Sequence, residues 1–238
     1  MTAATGTAGP RLYWRSLDGD LPQSSQLNSE QRARLATLVE PGRRREYRHS
    51  RELLMGALAA ENPLADPEQV AAVGPPRLPL GCGLHGALAH SQGLAVCALH
   101  RAAVGLDLEH RQRRPPWQRL ASRWFSQCEQ DCLNAMTVAM ALDRFLLLWT
   151  LKEAWLKATH QGIANTHQQL QLAAGGTDPS DWQLTLPPGQ PGWQAAAVDF
   201  RGYWLSLFWQ GRGTSLPRPP EKSRPWRLLT DLACRPGG

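Results

Sequence analysis

The sequence predicts an α/β protein of the α+β kind, and three observations carry that expectation. Two long stretches, RRREYRHSRELLMGALAAE and ALDRFLLLWTLKEAWLKATHQG, place apolar residues at helical spacing. Between them LAVCAL and AVGLDLE are short apolar runs bounded by SQG and HRA, which reads as strands and turns. In the last third DWQLTLP, WQAAAVDF and YWLSLFWQ are separated by Pro/Gly turns, the pattern of antiparallel strands.

In chain order, residues 1 to 10 are small and polar and are expected to form a loose leader. The run NSEQRARLATLV has the marks of a helix start, with Asn28 or Ser29 as cap and Leu35, Leu38 and Val39 following, and PG at 41–42 is expected to break it. The next helix opens on Arg43, Arg44, Arg45, Arg48 and Arg51, a basic start facing out of a core. Five prolines between 63 and 79 leave a connecting region with at most one helical turn. After the central strands, PPWQRLASRWFSQCEQDCLNAM is expected as a helix in which Trp124 and Phe125 serve the core. We divide the chain into the leader, an N-terminal subdomain over 11–103, a C-terminal subdomain over 104–210 and a Pro/Arg-rich peripheral tail over 211–238.

Composition narrows the setting. The chain has 238 residues, 42% hydrophobic content and a formal charge of +6. Lysine occurs only at Lys152, Lys157 and Lys222, so the basic excess is arginine, the better fork for phosphate or carboxylate. Five cysteines without paired spacing, and no secretory leader, point to a reducing, cytoplasmic compartment. Cys128 and Cys132 stand four apart on a predicted helix, with no histidine or second cysteine pair to complete a zinc site. No apolar run reaches the roughly 18 residues that span a bilayer.

Within VGLDLEH, a strand sends Val104, Leu106 and Leu108 to one face and Gly105, Asp107 and Glu109 to the other. The two carboxylates then stand on one side with Cα atoms roughly 7 Å apart. A solvated acidic face is one reading, and a cation site is the other. The later helix favours the second. Leu148, Leu151, Ala154, Trp155 and Ala158 share a broad apolar face, while Glu153 and Lys157 fall together on a side flanked by Leu146, Trp149 and Leu156. Charge on a buried helix needs partners beyond an i,i+4 pair. Asp107, Glu109 and Glu153 together make a hard oxygen site suited to Mg²⁺, an ion that takes further ligands from a substrate phosphate. Lys152 has no clear partner in the sequence. In GALAHSQG, read as a Gly/Ser-rich loop, His90 with the Arg43–Arg51 cluster could contact a phosphate.

The segments HGALAHS, VGLDLE, SRWFSQCE and WTLKEAWLKA occur in an order and spacing that resembles the 4′-phosphopantetheinyl transferases. Their signature is a (V/I)G(V/I)D(I/L)E strand followed some forty residues later by a W(S/T/C)xKEAxxK helix. RRREYRHSRELL is similar to the arginine-rich RRxEFxxxR segment of the siderophore-cluster type. The matches span about residues 28 to 165. The resemblance implies transfer of the phosphopantetheine arm of coenzyme A to a serine of an acyl or peptidyl carrier protein. It further implies a pseudo-twofold fold, each half a small mostly antiparallel sheet on a long helix, with coenzyme A in the cleft between, acting as a monomer without nucleic acid or membrane. By motif position, Asp107, Glu109 and Glu153 would hold Mg²⁺ on the pyrophosphate, and Lys157 would contact the same phosphate. His90 with Arg43, Arg44 and Arg51 would hold the 3′-phosphate or the pyrophosphate, and Glu153 or a metal-held water would accept the serine proton. Two departures bear on coenzyme A affinity: Ala89 stands where the family has a hydroxyl, and VGPPRLP replaces a GKxP-like loop, with Arg77 a candidate substitute. A Mg²⁺ phosphoesterase or nuclease, and a basic binding module without catalysis, are the alternatives that a DxE pair with basic clusters also allows.

Overall fold

The computed structural model describes residues 9–18, 26–160, 170–174, 182–186, 192–211 and 227–229. The chain opens on a strand, β1 (Arg11–Ser16), followed by helices α1 (Ser29–Thr37) and α2 (Pro41–Glu61). A hairpin of β2 (His85–Ser91) and β3 (Leu94–His100) leads into β4 (Val104–His110). Three helices follow, α3 (Trp117–Trp124), α4 (Gln127–Asn134) and α5 (Val138–Thr159). The remaining strands are β5 (Gln171–Ala174), β6 (Trp182–Thr185), β7 (Trp193–Phe200), β8 (Tyr203–Gln210) and β9 (Arg227–Leu229).

All described strand pairs are antiparallel. The first sheet has the order β1-β3-β2 and the second β4-β8-β7-β9, with β5 and β6 paired separately. Each main sheet therefore repeats one plan: an opening strand, a long helix, then a hairpin whose second strand returns beside the opening one. Two-residue turns close both hairpins. Gln92 and Gly93 have φ of 36° and 94°, Arg201 and Gly202 of 56° and 85°, the positive values that match the twist of the flanking strands.

The layers run α2, first sheet, second sheet, α5. Alternate residues of β3 serve different cores. Ala95, Cys97 and Leu99 pack with Leu53, Leu54 and Leu58 of α2, whereas Leu94, Val96 and Ala98 pack with Val104, Leu106 and Leu108 of β4 and Leu205 and Leu207 of β8. The outer face of the second sheet, including Ala195, Ala197 and Phe208, packs under α5. Covered on both faces, β3 reads as a continuous apolar run instead of an alternating one, whereas β4, buried along nearly its whole length, keeps the alternation that puts Asp107 and Glu109 on its α5 side.

Several local expectations change. PG at 41–42 starts a helix instead of only stopping one: Pro41 is its first residue, and Glu40 caps it by accepting from Gly42 N at 2.8 Å and Arg43 N at 2.6 Å. The single helix expected over 115–136 is two, because Ser126 and Glu129 form a capping box that starts α4 right after Phe125. Phe125 is core, 1% exposed and stacked on Phe145 at 5.2 Å. GALAHS is strand rather than loop, and only Gln92 and Gly93 turn. The strand β1 had no reading in the sequence, and within the tail residues 227–229 pair with β7. Residues 1–8 of the expected leader, and the rest of the tail from 212 on, lie outside the described residues. Among the described residues no helix is long and apolar enough to cross a membrane.

Candidate active site

Gly105 sets the geometry of the site. A Cβ built on it would stand 2.1 Å from Ala154 O and 2.3 Å from Ala158 N, so α5 crosses β4 in near contact of backbones. Small Ala154 and Ala158 complete the crossing, and Thr150 Oγ1 bonds Ser206 Oγ of β8 at 2.7 Å one turn earlier. The face of α5 bearing Glu153 and Lys157 is thereby turned toward the face of β4 bearing Asp107 and Glu109.

Lys157 Nζ donates to Asp107 Oδ1 at 2.6 Å. Asp107 is buried, and that burial pushes its carboxyl above the usual range; Lys157 pulls it down, while the charge of Glu153 pushes it further up. Glu109 is likewise raised by burial, with Arg113 opposing and Asp107 adding to the rise. It accepts from Arg113 and, at 3.2 Å, from Ser91 Oγ at the end of β2, so the carboxylates are tied to the first sheet as well.

Beside them lies a cleft of about 630 Å³ between α2, β2 and α5, with Arg34, Arg43, Arg51, His90 and Lys157 in its wall and Glu46 as the acidic member. Lys157 joins cleft to carboxylates. His90 Nδ1 is 3.9 Å from Glu46 Oε2; partial burial holds its ring below the ordinary histidine value, Glu46 draws it back up, and Lys157 and Arg51 push it further down. A pocket with this excess of cations attracts phosphates.

The predicted arginines part ways. Arg43 is exposed and lines the cleft, whereas Arg44 donates to Leu38 O at 3.0 Å and is not among the lining residues. Arg51 lines the cleft from a buried position, its guanidinium donating to Ala71 O at 3.2 Å and Gly74 O at 2.9 Å, so it also props the proline-rich wall. Arg77 lies in a neighbouring recess with His85, Arg101 and His160, not in the cleft. Ala89 packs in the core between the sheets. Arg34, from the last turn of α1, joins the cleft unannounced by any sequence motif.

Among the described residues no group of three His, Cys, Asp or Glu side chains is gathered closely enough to hold a metal. Asp107 and Glu109 instead take Lys157 and Arg113. The donor set nevertheless fits Mg²⁺ in kind: three hard carboxylates, two of them raised in pKa by burial and by a neighbouring carboxylate, Glu153 for Asp107 and Asp107 for Glu109, a repulsion that a divalent cation relieves. Mg²⁺ also needs only one or two protein carboxylates when a substrate phosphate supplies the rest.

Lys152 finds its partners away from the sheet. Its Nζ lies 3.0 Å from Glu129 Oε1, donates to Leu170 O at 2.6 Å and sits 5.1 Å from the centre of the Phe125 ring. The sequence hid this, since Glu129 falls within the single helix expected over 115–136 and nothing there marks it as a partner for Lys152.

Residues 103–206 match the model of the 4′-phosphopantetheinyl transferase superfamily. The chain is 33% identical over 134 residues to the 4′-phosphopantetheinyl transferase HetI of Nostoc sp., an alignment covering 51% of this chain and 54% of that protein. It is 28% identical to a putative 4′-phosphopantetheinyl transferase of Synechocystis sp., covering 51% and 52%. With the 4′-phosphopantetheinyl transferase Sfp of Bacillus subtilis it shares 30% identity over 91 residues, 38% of this chain and 40% of that one. The chain thus spans about half the length, or less, of these curated relatives.

Proposed function

We propose that this protein, whose residues 103–206 match the model of the 4′-phosphopantetheinyl transferase superfamily, transfers the 4′-phosphopantetheine group of coenzyme A to a serine of an acyl or peptidyl carrier protein. The observation that carries the proposal is Lys157, which bonds Asp107 while lining an arginine-rich cleft. That joins a phosphate-binding wall to a cluster of carboxylates, as phosphoryl-type transfer requires.

In this reading Arg43, Arg34 and His90 hold the phosphates of coenzyme A, and Arg51 keeps the proline-rich wall in place beside them. Asp107, Glu109 and Glu153 would hold Mg²⁺, which when bound neutralises charge on the pyrophosphate oxygens. Lys157 turns from Asp107 to the β-phosphate and stabilises the charge that develops there. Glu153 accepts the proton of the carrier serine. The serine Oγ forms a bond to the β-phosphorus as the bond from that phosphorus to the bridging oxygen breaks, and adenosine 3′,5′-diphosphate leaves.

The repeated strand–helix–hairpin plan supports two subdomains, 11–103 and 104–210, related by a pseudo-twofold axis with the substrate between them. The arginine-rich opening of α2 favours the siderophore-cluster type. Five cysteines without paired spacing favour a cytoplasmic setting, and the family resemblance favours a monomer.

Incubation with coenzyme A, Mg²⁺ and an apo carrier protein tests this. A mass gain of one phosphopantetheine on the carrier is the expected result. Hydrolysis of a nucleic acid or simple phosphodiester, with no transfer to any of several acyl and peptidyl carriers, overturns it in favour of a phosphoesterase.

A further inference from the structure

The sequence singles out Lys152 as a charge on a buried helix, and the transfer chemistry leaves it unused. It is 1% exposed, as is the side chain of its partner Glu129. A buried ion pair is a poor device for stability, because desolvating both charges cancels much of their attraction and a well-packed apolar pair does as well or better. What such a pair supplies is geometry. On α5 that matters, because apolar residues surround the helix on nearly every side: Phe145, Leu146, Leu147, Leu148, Leu151 and Trp155 are all buried. Burial of apolar surface alone does not select one rotation of such a helix about its axis.

Polar and steric contacts select it from two sides. Toward the second sheet, Gly105 and the Thr150–Ser206 bond fix the approach. On the far side Lys152 reaches two further elements. One is α4, where Glu129 also accepts from Ser126 N at 2.8 Å and so couples Lys152 to the start of that helix. The other is Leu170, immediately before β5. Lys152 is the chain neighbour of Glu153, and the two side chains leave the helix about 100° apart. A small rotation that loosened Lys152 would carry Glu153 and Lys157 away from Asp107.

We propose that Lys152 is a positioning residue of the transfer site: its buried contacts with Glu129 and Leu170 set the rotation of α5 that aims Glu153 and Lys157 at Asp107. This rests on the transferase reading for its kinetic consequence, though not for its geometry.

The test compares K152M, E129Q and the K152M/E129Q double variant with wild type. K152M alone strands a buried carboxylate, so its thermal midpoint falls; the double variant removes both charges, and its midpoint returns toward wild type. If Lys152 positions the site, kcat in the double variant stays roughly 10- to 100-fold low while KM for coenzyme A changes less than about threefold, because misplacement costs turnover and the arginine wall is untouched. The side-chain ammonium signal of Lys157 in an NMR spectrum shifts as its bond to Asp107 weakens. Recovery of both stability and kcat in the double variant, with the Lys157 signal unmoved, makes Lys152 a core residue only and overturns the proposal. Should wild type transfer nothing, the function proposed above falls, and the Lys157 signal alone decides the positioning role.

Discussion

Lys157 Nζ stands 2.6 Å from Asp107 Oδ1, which puts one ammonium at the boundary between the cationic cleft and the carboxylates of β4. Its side chain is 32% exposed, so it can turn toward a phosphate without leaving water altogether. K157M is therefore expected to cut transfer about 10²–10³-fold, the range found when one preorganised donor to a developing anion is removed. Mass spectrometry of the carrier measures the rate. Turnover within threefold of wild type removes Lys157 from the reaction.

Burial raises the carboxyls of Asp107 and Glu109, and that has a sign in pH. Both pKa values are raised on folding, so between the ordinary carboxylate value and the raised one the folded chain binds more protons than the unfolded chain. Stability then falls as pH rises through that window. D107N, which cannot ionise, should melt above wild type at neutral pH by about 2–4 °C for each ~1 kcal/mol relieved, the gap closing as pH falls to the usual carboxylate range. Excess Mg²⁺ should raise the melting point of wild type more than that of D107N. A D107N protein that melts lower than wild type at neutral pH contradicts this account.

Period-two alternation placed Asp107 and Glu109 on one face, and helical spacing placed Glu153 with Lys157; both survive in the structure because each depends only on local backbone geometry. What the sequence could not show is which cation meets which carboxylate. Arg113 reaches Glu109 from the same chain turn, but Ser91, Arg34 and Leu170 enter through tertiary contacts between segments distant in sequence. Arg51 illustrates the limit. Its place in the arginine-rich opening suggested a phosphate ligand, yet its guanidinium faces the carbonyls of Ala71 and Gly74 and binds them. The strand β1 was illegible for another reason: RLYWRS carries arginine at two of its six positions and directly follows the stretch read as a loose leader, and pairing with β3 supplies what local propensity does not.

His90 gives the cleft a pH response. Burial lowers its pKa on folding, so at neutral pH the ring is neutral in the free protein. A phosphate beside it favours the charged ring and raises that pKa, so binding takes up a proton, and affinity must rise as pH falls from the ordinary histidine value toward the lowered one. Calorimetric titration of coenzyme A in buffers of different ionisation heat measures the uptake. H90Q should bind with no proton uptake over that interval. Equal uptake by H90Q and wild type places the titrating group elsewhere.

The crossing of α5 over β4 is the most demanding contact in the site, and Gly105 is where it concentrates. A methyl at this position would meet Ala154 O and Ala158 N, backbone atoms of a helix pinned on its far side by Lys152, so no side chain can move to admit it. G105A should cost on the order of 3 kcal/mol or more, the upper range for overpacking, and should separate Lys157 from Asp107. Gly56 in α2 is the control. A Cβ there meets only Gln26 Oε1, at 3.3 Å, and Gln26 is a flexible side chain. G56A should be neutral or stabilise by up to ~1 kcal/mol, because alanine is the better helix former. Thermal melts of the two variants decide between local and general sensitivity to added methyl groups: equal losses for G105A and G56A would show that the α5–β4 crossing is no tighter than the rest of the core.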